Sequence, residues 1–98
     1  MKIIKEAIAG TLESSDLLVK VAPSADGALE VIVNSEVIKQ FGEQIRRVVD
    51  ETLAKLELSA GCVLIEDKGA LDCAIRARVQ TAVLRGAGSE ELNWEKLS

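Results

Sequence analysis

This sequence carries the pattern of an α+β domain: a small, mostly antiparallel sheet of about four strands with two amphipathic helices on one face. Short stretches within 7–33 and 62–66 place β-branched and other apolar residues at alternate positions or in brief runs between turn-forming residues, the period of a strand. Two longer stretches, 37–56 and 71–83, repeat apolar residues at three- and four-residue steps, the period of a helix. The chain has 98 residues, 48% hydrophobic and 29% charged, enough for one core with a solvated exterior and too little for two. A single domain over residues 1–98 is expected.

Ala7–Leu12 and Leu17–Ala22 are β-compatible and are separated by Glu13-Ser14-Ser15-Asp16, four residues suited to closing a hairpin. In the second stretch Leu17, Val19 and Val21 share one face and Lys20 lies on the other. Pro23-Ser24-Ala25-Asp26-Gly27 breaks the strand, and Ala28–Val33 resumes it with Leu29, Val31 and Val33 on one side. A three-stranded antiparallel meander is the simplest arrangement. Asn34 or Ser35 can cap a helix running to about Leu56, with Val37, Phe41, Ile45, Val48, Val49, Leu53 and Leu56 as its apolar stripe. Ser59-Ala60-Gly61 interrupts it, and Cys62–Glu66 supplies a fourth strand that completes a strand, helix, strand unit. If the strands flanking the helix pair in parallel, the crossover is right-handed. Leu71, Ala74, Ile75, Val79, Ala82 and Val83 mark the second helix, which Gly86 and Gly88 can end, and both helices are expected on the same face. The segment Ser89–Ser98 has no sustained period but holds Leu92, Trp94 and Leu97 among acids, as a flexible docking tail or as a segment that packs back.

The formal net charge of −4 opposes association with phosphate backbones and anionic lipid, and favours proteins with basic patches as partners. Phe41 and Trp94 are the sole aromatic residues, so no stacking platform for bases exists. The first residues lack a signal peptide's apolar run and no stretch approaches a membrane span, which points to a cytoplasmic protein with no membrane partner. Cys62 and Cys73 have no neighbouring ligands and the chain has no histidine, so reduced core thiols are expected rather than a metal site. The missing histidines also weaken an enzymatic reading, because catalysis near neutral pH usually recruits an imidazole.

Ser14 and Ser15 therefore sit at the apex of a hairpin with only Glu13 and Asp16 as local ionisable neighbours. A serine nucleophile needs an adjacent base and an oxyanion site, neither of which this segment offers. One reading is a plain turn whose hydroxyls satisfy nearby amides. The other is a serine modified by a visiting enzyme, which needs only exposure on a projecting loop.

Ala9-Gly10-Thr11-Leu12-Glu13-Ser14-Ser15-Asp16, followed by Asn34-Ser35 and Gln40-Phe41-Gly42, resembles the acyl carrier (gamma) subunits of bacterial citrate lyases. Asp67-Lys68-Gly69-Ala70-Leu71-Asp72-Cys73, running into Ile75-Arg76-Ala77-Arg78, is similar to that family's block before its last helix, and the resemblance extends over nearly the whole chain. It implies a single, non-catalytic acyl carrier domain, unlike the four-helix carriers of fatty-acid synthesis. It further implies a phosphoribosyl-dephospho-coenzyme A arm joined by a phosphodiester to Ser14, with Ser15 as second choice. In that family the arm carries acetyl and citryl thioesters between an alpha subunit, which exchanges acetyl for citrate, and a beta subunit, which releases oxaloacetate. A prosthetic-group transferase attaches the arm. The related carrier of malonate decarboxylase and an unmodified interaction subunit are the rival readings.

Around that turn, Glu13 and Asp16 either repel the arm's phosphates and guide a basic transferase, or merely solvate the turn. In the second block Gly69 permits a sharp turn and Asp67 or Asp72 favours the positive end of a helix, while Lys68, Arg76 and Arg78 offer contacts to the arm's phosphates or to an acidic neighbour. Trp94 is either a lid on the core or an anchor for another subunit.

Overall fold

Leu17, Val19 and Val21 alternate with Leu18, Lys20 and Ala22, and the strand they form, β2 (Leu17–Ala22), buries the first set completely. The computed structural model describes residues 1–35 and 42–88. Around β2 stand β1 (Ala7–Gly10), β3 (Leu29–Ser35), α1 (Gly42–Lys55), β4 (Gly61–Asp67) and α2 (Asp72–Gly86). The strands form one sheet in the order β1-β2-β4-β3, with β1 and β4 antiparallel to β2 and β3 parallel to β4. The mixed, mostly antiparallel α+β architecture is the expected one.

The meander is not. β3 does not follow β2 in space, because β4 lies between them, pairing Val63 with both Val21 and Val31 and Ile65 with both Val19 and Val33. The reason is apolar content. β4 buries alternate residues along its whole length, including Val63 and Ile65 at 1% exposure or less, whereas β3 carries none that is fully buried. The strand with most to bury takes the interior position and the more polar one takes the edge, where a strand has a single neighbour.

Asn34 and Ser35 do not cap a helix. They are the last residues of β3, in register with Glu66 and Asp67, and the Ser35 hydroxyl donates to Asp67 Oδ2 at 2.9 Å. Val37 and Phe41 of the expected stripe lie outside the described residues, as does the whole Ser89–Ser98 segment with Trp94. The rest of the stripe is as expected: Ile45, Val48, Val49, Leu53 and Leu56 are buried, and Gln44, Arg46, Arg47, Asp50 and Glu51 are exposed. α2 contributes Ile75, Val79, Ala82 and Val83, and these residues join those of α1 and the inward face of the sheet in one core. Each such fully buried aliphatic side chain contributes about 1.5–3 kcal/mol of transfer free energy. Leu71 stands just before α2 and is exposed, so it does not belong to the stripe.

At the end of the sheet away from the 11–16 turn, the N-terminal segment closes the core. Ile3 is buried, its N–H donates to the Ala60 carbonyl, and the Ile4 and Lys5 N–H groups donate to the Gly86 carbonyl. Among the described residues nothing covers the other face of the sheet, where Ile8 and Ile32 are exposed and Leu18 and Leu64 partly so. The two cysteines are free thiols but not core residues: Cys62 lies on that outer face, partly exposed, and Cys73 is exposed on α2. Among the described residues no helix is long and apolar enough to cross a membrane.

Candidate functional site

The first strand stops at Gly10, two residues earlier than its composition suggests. Gly10 adopts φ 93°, where side chains are strained, and a Cβ there would overlap the Leu17 carbonyl oxygen. That oxygen accepts the Thr11 N–H at 3.1 Å, which closes the hairpin and leaves residues 12–15 projecting beyond the sheet.

The apex is a β-turn from Glu13 to Asp16, closed by the Asp16 N–H on the Glu13 carbonyl at 3.2 Å. Its third residue, Ser15, is left-handed at φ 65°, the position where such turns prefer glycine or asparagine. Ser14 occupies the outer corner. Both serines are exposed, and neither hydroxyl has a hydrogen-bond partner among the described residues.

The turn is nevertheless pinned. The Ser15 N–H donates to the Lys68 carbonyl and the Lys68 N–H donates to the Asp16 carbonyl, both at 2.9 Å, so the β2-β4 ladder extends beyond Leu17 and Asp67 into the two loops. The Thr11 hydroxyl donates to Asp16 Oδ2 at 2.8 Å and accepts the Glu13 N–H at 3.2 Å. From α2, Arg78 donates Nε–H to Asp16 Oδ1 at 3.3 Å and Nη2–H to Oδ2 at 3.2 Å. The Leu17 N–H donated to its carboxylate, then the Thr11 hydroxyl, hold the Asp16 carboxyl below its ordinary value against the opposing effect of burial, and the Arg78 guanidinium adds a smaller lowering. With Arg78 44% and Asp16 18% exposed, the ion pair itself is worth about 0.5–1 kcal/mol.

A second carboxylate supports the turn from below. Asp67, at 1% exposure, accepts the Ala70 N–H on Oδ1 at 2.9 Å, and the Gly69 N–H at 3.2 Å and Ser35 hydroxyl at 2.9 Å on Oδ2. It belongs to the end of β4, where it shapes the loop leading into α2, rather than to the positive end of that helix. Asp72 begins α2, and its Oδ2 accepts the Gln44 Nε2–H at 3.0 Å.

Ser14, Ser15, Glu13, Asp16, Lys68 and Arg78 are thus brought together at one end of the sheet, with Lys68 joining through its backbone. Arg76 is not brought in. Two residues from Arg78 on a helix, it points to the other side, exposed and without a side-chain hydrogen bond among the described residues. Trp94 lies outside the described residues. Thr11 and Ser35 were missed as supports; a threonine two residues before an amide that its hydroxyl accepts is a readable local signal, whereas Ser35 meets Asp67 only across the sheet.

Chemically, the arrangement presents two exposed hydroxyls, Ser14 at the outer corner and Ser15 beside it, on a fixed turn with no general base bonded to either among the described residues. It suits a serine that another active site acts upon.

The family model described as malonate decarboxylase delta subunit (MdcD) matches residues 4–86. The chain is 64% identical over 97 residues to the citrate lyase acyl carrier protein of Pectobacterium atrosepticum, covering 99% of this chain and 100% of the relative. It is 66% identical over 97 residues to that of Cronobacter sakazakii, with 99% of each covered, and 52% identical over 98 residues to that of Vibrio cholerae serotype O1, with 100% of each covered. Among solved structures, a chain in the crystal structure of a Pseudomonas malonate decarboxylase hetero-tetramer in complex with malonate has the same fold. Its TM-score is 0.70 at 21% identity, over 83% of this chain and 82% of that one.

Proposed function

The chain belongs to the citrate lyase acyl carrier protein family, and on that premise we propose that it is a non-catalytic carrier whose Ser14 bears phosphoribosyl-dephospho-coenzyme A through a phosphodiester. The observation that carries this reading is the exposed, unpartnered Ser14 hydroxyl at the outer corner of a turn held by two backbone bonds to the next loop. The residues fit such a group: nothing in the described structure covers the hydroxyl, and the charges of Asp16 are already engaged by Thr11, Leu17 and Arg78.

Ser14 Oγ would hold the group through a phosphodiester formed from a phosphoanhydride donor, whose remaining phosphate would be the leaving group, and the hydroxyl proton would pass to a base of the attaching enzyme, since none is bonded to it among the described residues. This chain contributes placement. Ser15, left-handed, turns the backbone away so that Ser14 leads, and Glu13, the free acid of the pair, keeps the phosphate-rich arm off the domain's own surface. When bound, the group supplies a terminal thiol that holds acyl groups as thioesters. Everything else the domain does is mechanical: it anchors one end of a tether, which raises the effective concentration at its partners into the millimolar range without affinity for the acyl group. The partners in this reading are the alpha and beta subunits of citrate lyase and the prosthetic-group transferase.

A malonate decarboxylase-type carrier is the second reading, favoured by the family model and the shared fold. Identities of 52–66% over nearly the whole chain to citrate lyase carriers, against 21% to the malonate decarboxylase chain, weigh for citrate lyase. The test is co-expression with the attaching enzyme. Wild type and Ser15→Ala gain the mass of one arm and Ser14→Ala gains none; an adduct surviving on Ser14→Ala and lost on Ser15→Ala transfers the role to Ser15.

A further inference from the structure

Two exposed leucines share the end of the molecule that presents Ser14. Leu12, 54% exposed, lies two residues before it, and Leu71, 74% exposed, ends the loop that Lys68 bonds to the turn. Neither belongs to the core. Leu71 is the N-cap residue of α2, with extended backbone at φ −74° and ψ 158° and no side-chain bond to the first turn. That position favours serine, threonine, aspartate or asparagine, whose side chains accept an unpaired amide. A leucine placed there, 74% exposed, gains no cap and little burial.

We propose that Leu12 and Leu71 are the docking anchors for the enzyme that attaches the prosthetic group, an inference that rests on Ser14 being the attachment site. Geometry selects that occupant over the lyase subunits. The attaching enzyme must bring Ser14 Oγ into its own active site, so its surface covers residues within a few positions of Ser14, a reach of about 7 Å along the chain. The lyase subunits meet the far end of the arm and need no contact with the turn. Charge agrees. An enzyme that holds a phosphoanhydride donor has a cationic mouth, and the leucines stand beside Glu13 and Asp72 on a chain of net charge −4. The two backbone bonds between Lys68 and residues 15–16 hold both loops to one another, so the anchors are presented together with the serine. A few side chains that become fully desolvated at the centre of an interface, with charges at the rim, carry most of its energy.

The test measures adduct formation on the full-length chain by intact mass, with the purified attaching enzyme and its donor. Leu12→Ser and Leu71→Ser each lower kcat/KM about tenfold, mainly by raising KM, and the double variant by fiftyfold or more. Ile32→Ser on the outer sheet face and Ile4→Ser at the opposite end remain within twofold of wild type. Serine is a favoured N-cap, so Leu71→Ser keeps or raises the melting temperature while attachment slows, a combination that a role in folding does not produce. Attachment of both leucine variants within twofold of wild type, or equal losses in the Ile32 and Ile4 controls, overturns the proposal. So does normal attachment with slowed turnover of the assembled lyase, which reassigns the leucines to the lyase subunits. A wild-type chain that takes no adduct on Ser14 would instead remove the premise.

Discussion

Ser15 holds a left-handed backbone at φ 65° without being glycine, a conformation that a short polar side chain tolerates and a β-branched one resists. Ser15→Gly is expected to leave stability unchanged or raise it by up to about 1 kcal/mol, and Ser15→Val to lower it by about 1–2 kcal/mol, read from urea midpoints. Asp16 gives a pH signature. Its folded-state pKa lies below its ordinary value of 3.8, so its contribution is complete above that pH and disappears as the pH falls through the folded value. The stability gap between wild type and Asp16→Asn should therefore be widest at pH 5–7 and narrow below about pH 3.8; a gap that stays constant to pH 2.5 would show that Asp16 acts through packing alone. At this scale the sequence was informative because turn chemistry is local. Two serines between two acids marked the apex, and the resemblance ranked Ser14 first. The tie from Arg78 to Asp16 spans 62 positions, and nothing in the spacing distinguished Arg78 from Arg76 until the helix was placed against the hairpin.

Between elements, the support of the turn depends on Gly10 and Asp67. Gly10→Ala forces a Cβ against the Leu17 carbonyl at a strained φ and is expected to cost about 2 kcal/mol or more. Asp67→Ala leaves the Gly69 and Ala70 amides and the Ser35 hydroxyl without their acceptor, an expected loss of about 2–4 kcal/mol, with Asp67→Asn recovering part of it. Chemical denaturation of the purified variants checks both. Element identity was legible because period is a property of each segment: β2 was located to its ends, and the apolar stripe of α1 holds from Ile45 to Leu56. Sheet order was not. Alternation says which side chains face the core but not which strand lies alongside, and the pairing of β3 with β4 was decided by burial that the segments gain only together. The cap expected at Asn34 or Ser35 failed for the same reason, since pairing with Glu66 and Asp67 satisfied those residues as strand instead.

For the whole molecule, one contiguous core joins both helices, the sheet and Ile3, and a single cooperative unfolding transition is expected. Two arginines guard the edges of the sheet: Arg46 donates to the Val31 carbonyl at 3.3 Å on β3, and Arg85 donates to the Ile8 carbonyl at 3.0 Å on β1. Unpaired edge groups invite pairing between chains, and each of these contacts occupies one such group. In the proposed reading, a rigid domain with a serine at a projecting turn separates the two tasks of carrying and reacting: the fold would fix one end of a tether and leave the chemistry to the group and to the subunits it visits. That reading depends on Ser14, and the decisive experiment is intact mass of this chain isolated from active native complex, with fragmentation of the tryptic peptide from Glu6 to Lys20. One phosphoribosyl-dephospho-coenzyme A adduct per chain, localised to Ser14, is expected; an unmodified peptide from fully active complex would contradict it and leave residues 9–16 an ordinary turn.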